Sequence, residues 1–258
     1  MEVTDELITQ WVGQILWPLF RVAGFLAIMP VLGAQSVSVR VRVALAISIA
    51  VLIAPMLEVP AVNVLSPEVL VITLWQLLLG LIIGFFFLML LQIFVVAGQM
   101  ISMQMGLGFA SMMDPANGVS VSILSQWYQL LITLLFIAAD GHLVALQILV
   151  YSFETFPVSS YGISQLDWGA LIHLGSWMFV SALQLAMPAV TALLFVNLIF
   201  GVMTRSAPQL NVFALGFPIT MLLGLFVSWM TIGTMMPRFN EFMWQAFWIA
   251  EDWVSGGR

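Results

Sequence analysis

Residues 69–101 contain no charged side chain, and that stretch constrains what this chain can become more than any other. About 20 apolar residues in a helix already cross a ~30 Å hydrocarbon layer. A longer run belongs in lipid or inside a large apolar assembly. Further apolar runs cover roughly 11–33, 43–57, 122–151, 169–203 and 212–236. They are continuous rather than alternating, which selects helices over barrel strands. The expected fold is all-α: a polytopic membrane-type protein of long, broken helices and helical hairpins. The second run is short for a span. The third, fourth and fifth are long enough to be hairpins, tilted helices or kinked ones.

Composition agrees with a surface that does not face water. Of 258 residues, 62% are hydrophobic and 7% charged, where a soluble domain carries about 25% charged residues. Six arginines, with no lysine, stand against twelve acids. That balance excludes nucleic-acid binding, which needs clustered positive charge. The absence of cysteine rules out disulfides and thiolate metal sites. The opening "MEVTDE" is acidic where a signal peptide would be basic, and no small-residue cleavage site follows, so the chain is expected to be retained whole.

Charge also suggests an orientation. The loops holding Arg40, Arg42 and Arg205 fall on one side of a six-span arrangement. The N-terminus, Glu58, Glu68, Asp140, Glu154 and Asp167 fall on the other. Arginine bias then puts both termini outside, with Arg238 dissenting. The stretch "FNEFMWQAFWIAEDWV" (239–254) differs from the spans: Phe239, Phe242, Met243, Ala246, Phe247, Ala250, Trp253 and Val254 recur at helical spacing among polar residues. It is expected to be an amphipathic helix, packed on a partner or at an interface rather than spanning.

Few residues suit catalysis. His142 and His173 lack further ligands for a metal site. No nucleophile motif, phosphate loop or dinucleotide fingerprint is present, so neither an enzyme activity nor a cofactor is expected. Asp140-Gly141-His142 reads as a proton relay or, more simply, as a helix end at a loop. Arg21 is sharper, because a guanidinium at a bilayer centre costs ~2.5–3.5 kcal/mol. It should face protein, buried at a helix or subunit contact, and Arg205 likewise. Gly80 and Gly84, four apart, allow close helix packing.

The stretch "MGLGFASMMDPANG" (105–118) ends in turn dipeptides but begins apolar and soft. Five methionines stand at positions 100, 103, 105, 112 and 113. Methionine conforms to irregular surfaces, and Gly106 and Gly108 are expected to loosen the backbone around Leu107 and Phe109. Such a loop suits a gasket around changing contents. A hairpin tip buried among helices would use the same residues.

"NLIFGVMTRSAPQLNVFALGFPITMLLGL" (197–225) closely resembles the signature region of the FliR family of flagellar type III export proteins. "RVAGFLAIMPVLG" (21–33), "GLGFASMMDPANG" (106–118) and "DGHLVALQILVYSFETFP" (140–157) resemble its other marked stretches, in order. The resemblance implies a FliP-like part, residues 1–157, followed by a FliQ-like hairpin with the C-terminal amphipathic helix, residues 158–258. It implies assembly with FliP and FliQ in an export gate, contact with FlhB and FlhA, and passage of exported flagellar proteins. It also implies a bacterial inner-membrane location at the flagellar basal body, with membrane lipid around part of the assembly; the arginine bias puts the N-terminus on the periplasmic side. The loop 105–118 would be the pore plug, formed by Met105, Gly106, Leu107, Gly108, Phe109, Met112 and Met113. Arg21, Gly80, Gly84, Asp140, Arg205, Pro208, Gln209 and Asn211 would be buried structural or inter-subunit residues. A virulence-secretion branch exists, and the "TRSAPQLNVF" stretch looks closer to the flagellar one. The rival from another class is an ion- or proton-coupled small-molecule transporter using Asp140, His142 and Arg21. It lacks the repeat symmetry common in that class. A third possibility is an assembly scaffold with no pore role.

Overall fold

Side chains this apolar leave the backbone as the main polar group, and helical hydrogen bonding satisfies it within each segment. The computed structural model describes residues 5–34, 36–57, 66–107, 122–158, 168–206 and 212–255, and every element among them is helical. In order these are α1 (Asp5–Ile28), α2 (Val39–Ile53) with a 3-10 turn at Ala54–Met56, and α3 (Pro67–Gln104). Then follow α4 (Ile123–Ala138), α5 (Gly141–Thr155), α6 (Trp168–Ser206) and α7 (Val212–Ser255). Among the described residues four helices are long and apolar enough to cross a membrane, and the broken pair α4–α5 adds a fifth candidate. The protein is an all-α polytopic membrane protein.

Several expected boundaries move. The first run stops at Ile28 because Pro30 disfavours helix in the residue before it. The fourth run is broken at Asp140, which takes a left-handed conformation with φ 54°. The third and fifth runs are single helices of 38 and 39 residues. The largest correction is at the C-terminus. The last span and the amphipathic stretch form one 44-residue helix that continues through Pro218 and Pro237. Its stripe does not wait for a partner: Phe239, Phe242, Met243, Ala246, Phe247, Ala250, Trp253 and Val254 are all buried within this chain. A proline removes one helical hydrogen bond, whereas each large apolar side chain buried contributes ~1.5–3 kcal/mol. Packing wins.

The residues group into two units. The first takes Met1–Met89, Ile137–Leu174 and Trp244–Arg258. Its core rests on α3, where Ile72, Trp75, Leu79, Ile83 and Phe86 recur at steps of three and four and are buried. Trp253 stacks obliquely on Phe86 and Phe156, each at 5.5 Å between ring centroids. The second unit takes Leu90–Phe136 and Gly175–Met243. There Phe94 meets Phe239 and Phe242 at 6.3 and 6.0 Å, and the Tyr128 and Thr231 hydroxyls lie 3.3 Å apart.

Helices α1 and α3 cross at glycines. A Cβ on Gly80 would overlap the Arg21 carbonyl oxygen and come within 2.8 Å of the Phe25 nitrogen; one on Gly84 would lie 2.9 Å from the Phe25 oxygen. Those obstacles are backbone and cannot rotate away. Gly80→Ala should therefore destabilise by ~1–3 kcal/mol, the range for overpacking, read as a lower detergent melting temperature. Gly233→Ala is the control, since nothing lies within 4 Å of its Cβ position. An equal loss in both variants would show that the crossing is not close-packed.

Candidate functional site

Two constructions draw on the singled-out residues, one in each unit. The first surrounds Arg21, which is completely buried. Its Nε donates to Gln76 Oε1 at 2.7 Å. One terminal nitrogen donates to the Ser152 carbonyl at 2.8 Å and the Ser152 hydroxyl at 3.2 Å. The other donates to the Phe156 carbonyl at 2.6 Å, and the guanidinium lies 4.0 Å from the centre of the Phe153 ring. Ser152, Phe153 and Phe156 sit at the C-terminal end of α5, where the helix dipole is negative, and Gln76 reaches in from α3; the Ser152 carbonyl also accepts from the Phe156 amide at 3.0 Å. Arg21 is thus solvated by neutral acceptors, a helix terminus and an aromatic face. Among the described residues, the ion pair found is the exposed Arg238–Glu241 contact at 2.9 Å.

Within this chain Asp140 and Arg205 are exposed. Asp140 is exposed at the break before α5, where its carbonyl accepts from the amides of Leu143 and Val144. A carboxylate at a left-handed helix start keeps its water, so no buried partner is required. Arg205 is exposed in the last turn of α6, a position that complements the helix dipole without burial. Pro208, Gln209 and Asn211 lie outside the described residues. His142 is half-buried and His173 exposed; no group of three or more metal-ligating side chains exists among the described residues.

The second construction is the base of the apolar loop. Helix α3 ends in a closed cap: the Gly106 amide donates to the Met103 carbonyl and the Leu107 amide to the Ser102 carbonyl, both at 3.1 Å. This pairing needs a left-handed residue at its turn, and Gly106 has φ 84°. Gly106 therefore stops the helix at a defined point instead of loosening it. Met105, expected in the free loop, is fully buried as an anchor. It packs so tightly on Gly224 of α7 that a Cβ there would sit 2.6 Å from its sulfur.

Side chains of α6 and α7 approach the carbonyls at this end. Asn197 of α6 donates to the Gln104 carbonyl at 3.3 Å, and the Thr220 hydroxyl of α7 lies 3.0 Å from the Phe217 carbonyl and 3.4 Å from that of Met105. Where the chain returns, Gln99 of α3 accepts from the Ser122 amide at 3.0 Å and from the Ser125 hydroxyl at 3.1 Å. Ser122 caps α4 by accepting from the Ser125 amide at 3.2 Å. Both ends of the loop are thereby tied to α3. Gly108, Phe109, Met112 and Met113 lie outside the described residues.

Sequence reasoning passed over Gln99, Ser122, Asn197 and Thr220. Two signals were present: a serine three residues before another at the start of an apolar helix, and polar side chains inside apolar ones.

Outside these constructions the helices expose much apolar surface. The most apolar stretch of α3 is 61% buried, but that of α6 is only 17% buried. Phe195, Leu198, Ile199, Val202 and Met203 line an open apolar groove of about 310 Å³ on α6.

Comparison with known sequences fits this architecture. The profile of "Bacterial export proteins, family 1" matches residues 12–246. The flagellar biosynthetic protein FliR of Escherichia coli (strain K12) is 34% identical over 255 residues, covering 99% of this chain and 98% of that protein. FliR of Pectobacterium carotovorum subsp. carotovorum is 33% identical over 232 residues, covering 90% and 87%. The surface presentation of antigens protein SpaR of Shigella flexneri is 28% identical over 162 residues, covering 62% and 61%. A family match across nearly the whole chain, on a helical membrane fold of this kind, places the protein among the bacterial export proteins of family 1, the family of the flagellar biosynthetic proteins FliR.

Proposed function

We propose that this chain is a gate-forming subunit of a flagellar type III export apparatus, assembling with FliP and FliQ around a conduit for unfolded flagellar proteins. The observation that carries the reading is the anchored base of the 107–122 loop. Gly106 closes one end and Gln99 ties the other, so an apolar, methionine-rich segment is held between two fixed points. A gasket needs such a frame, because a soft seal closes a pore only if its rim does not move. An apolar constriction excludes water and therefore ions. The chain contributes this seal and a docking surface rather than catalysis.

In this reading residues 1–157 form the FliP-like part and residues 158–258 the FliQ-like hairpin. Contacts with FlhB and FlhA, an inner-membrane location at the basal body and a periplasmic N-terminus complete it. Arg205, Pro208, Gln209 and Asn211 then serve inter-subunit contacts, and the exposed apolar faces of α6 and α7 are covered by neighbouring subunits and lipid. The transporter alternative gains no support at Arg21, whose partners are Gln76, Ser152 and Phe156 rather than an acid or a histidine.

Partner dependence tests it. Produced alone, the chain should aggregate or be degraded; produced with FliP and FliQ, it should purify as one stoichiometric complex. Size-exclusion chromatography in detergent with mass determination distinguishes these outcomes. Recovery of a folded, monodisperse monomer alone would count against the gate assembly.

A further inference from the structure

Gln99 is the polar side chain through which α3 holds the start of α4. Its single amide oxygen accepts from the Ser122 backbone at 3.0 Å and from the Ser125 hydroxyl at 3.1 Å. Ser122 in turn caps α4, and its hydroxyl lies 2.9 Å from that of Ser125. Close by, Gly98 lets α4 approach: a Cβ there would meet the Ser125 Cα at 3.0 Å and the Tyr128 ring at 3.2 Å. Ser125 and Tyr128 are buried and the bonds to Gln99 are partly so, which makes an unmade partner costly at Ser125.

We propose that Gln99 is the positioning residue of the loop: it sets the place and direction at which the chain re-enters helix at Ser122, and so fixes the loop's return end. The opposite end is set independently by the Gly106 cap and by buried Met105. The chemistry required at position 99 is acceptor chemistry. Both bonds run to its oxygen, so a carboxylate of the same length serves, whereas a thioether of similar length and volume does not. This inference rests on the gate reading above only for its functional consequence.

The experiment separates the two. The chain has no cysteine of its own, so Met103→Cys and Ile123→Cys, both at exposed positions, introduce its only thiols. Spin labels there, in the membrane complex assembled with its partner subunits, report the distance between the end of α3 and the start of α4. The parent should give one narrow distribution, Gln99→Met a distribution several-fold broader, and Gln99→Glu a narrow one again. Ser125→Ala, which removes one of the two donors, should broaden it by an intermediate amount and serves if Gln99→Met fails to assemble. An unbroadened distribution in Gln99→Met, or in Ser125→Ala where that variant is the one read, overturns the positioning role. So does failure of Gln99→Glu to restore the parent width. Resting ion conductance is read on the same variants and should rise several-fold wherever the distribution broadens. Broadening without added leak leaves Gln99 as the positioning residue and overturns the gate reading instead.

Discussion

Arg21→Leu should abolish accumulation of the assembled complex and, with it, motility. The substitution removes the donor to Gln76 Oε1, the Ser152 carbonyl and hydroxyl, and the Phe156 carbonyl, all inside a fully buried socket. The Ser152 carbonyl keeps the Phe156 amide at 3.0 Å, but the Gln76 and Phe156 oxygens lose the guanidinium as donor, and each buried acceptor left unmet costs ~1–3 kcal/mol. Against a total stability of about 5–15 kcal/mol, that loss suffices to unfold the first unit. Relief from carrying a charge among apolar helices works the other way, but here the guanidinium already has its acceptors. Arg21→Lys should recover only part of the loss, because an ammonium cannot reproduce the planar fork. Membrane abundance by immunoblot and swimming on soft agar measure both variants. Normal assembly of Arg21→Leu would mean that the socket contributes nothing to stability.

The second large effect concerns the loop. Phe109, Met112 and Met113 changed together to serine should leave assembly intact and raise the resting ion leak about tenfold or more. Large apolar side chains keep water out of a constriction, and each contributes ~1.5–3 kcal/mol of apolar transfer energy. A barrier lowered by 1.36 kcal/mol is crossed about ten times faster. Because Gly106 and Met105 anchor the loop from outside this stretch, the serine variant should keep the fold of α3 and α4. Membrane-potential dye response in cells, with complex recovery checked in parallel, measures it. Normal assembly without leak would place the gate in a partner subunit. Loss of assembly would mark the loop as a buried hairpin tip.

The two sites differ in how far they could be read in advance. Arg21 stood out because a charge in an apolar run is expensive wherever it lies, but its acceptors are 55, 131 and 135 residues away and left no local pattern. The loop stood out by composition, and its resemblance to the FliR plug supplied a role. The glycines in it were read as softness, while Gly106 is a helix stop with a defined φ of 84°. Glycine permits both behaviours, and only the cap hydrogen bonds distinguish them.

Helical membrane architecture followed from the sequence alone, because uncharged runs of this length have no other stable solution in lipid. The period of the C-terminal stripe was likewise legible, down to the eight residues that are buried. What covers that stripe was not. A helical pattern states which face must be apolar, and it is silent on whether the surface opposite belongs to a partner, to lipid or to the same chain. Tertiary packing decided that the stripe meets its own chain and that α7 continues through two prolines. It also decided that Arg21 is buried by this chain's own helices, which leave Asp140 and Arg205 uncovered. Burial of a charge depends on acceptors brought together from distant segments, and no local spacing encodes that convergence.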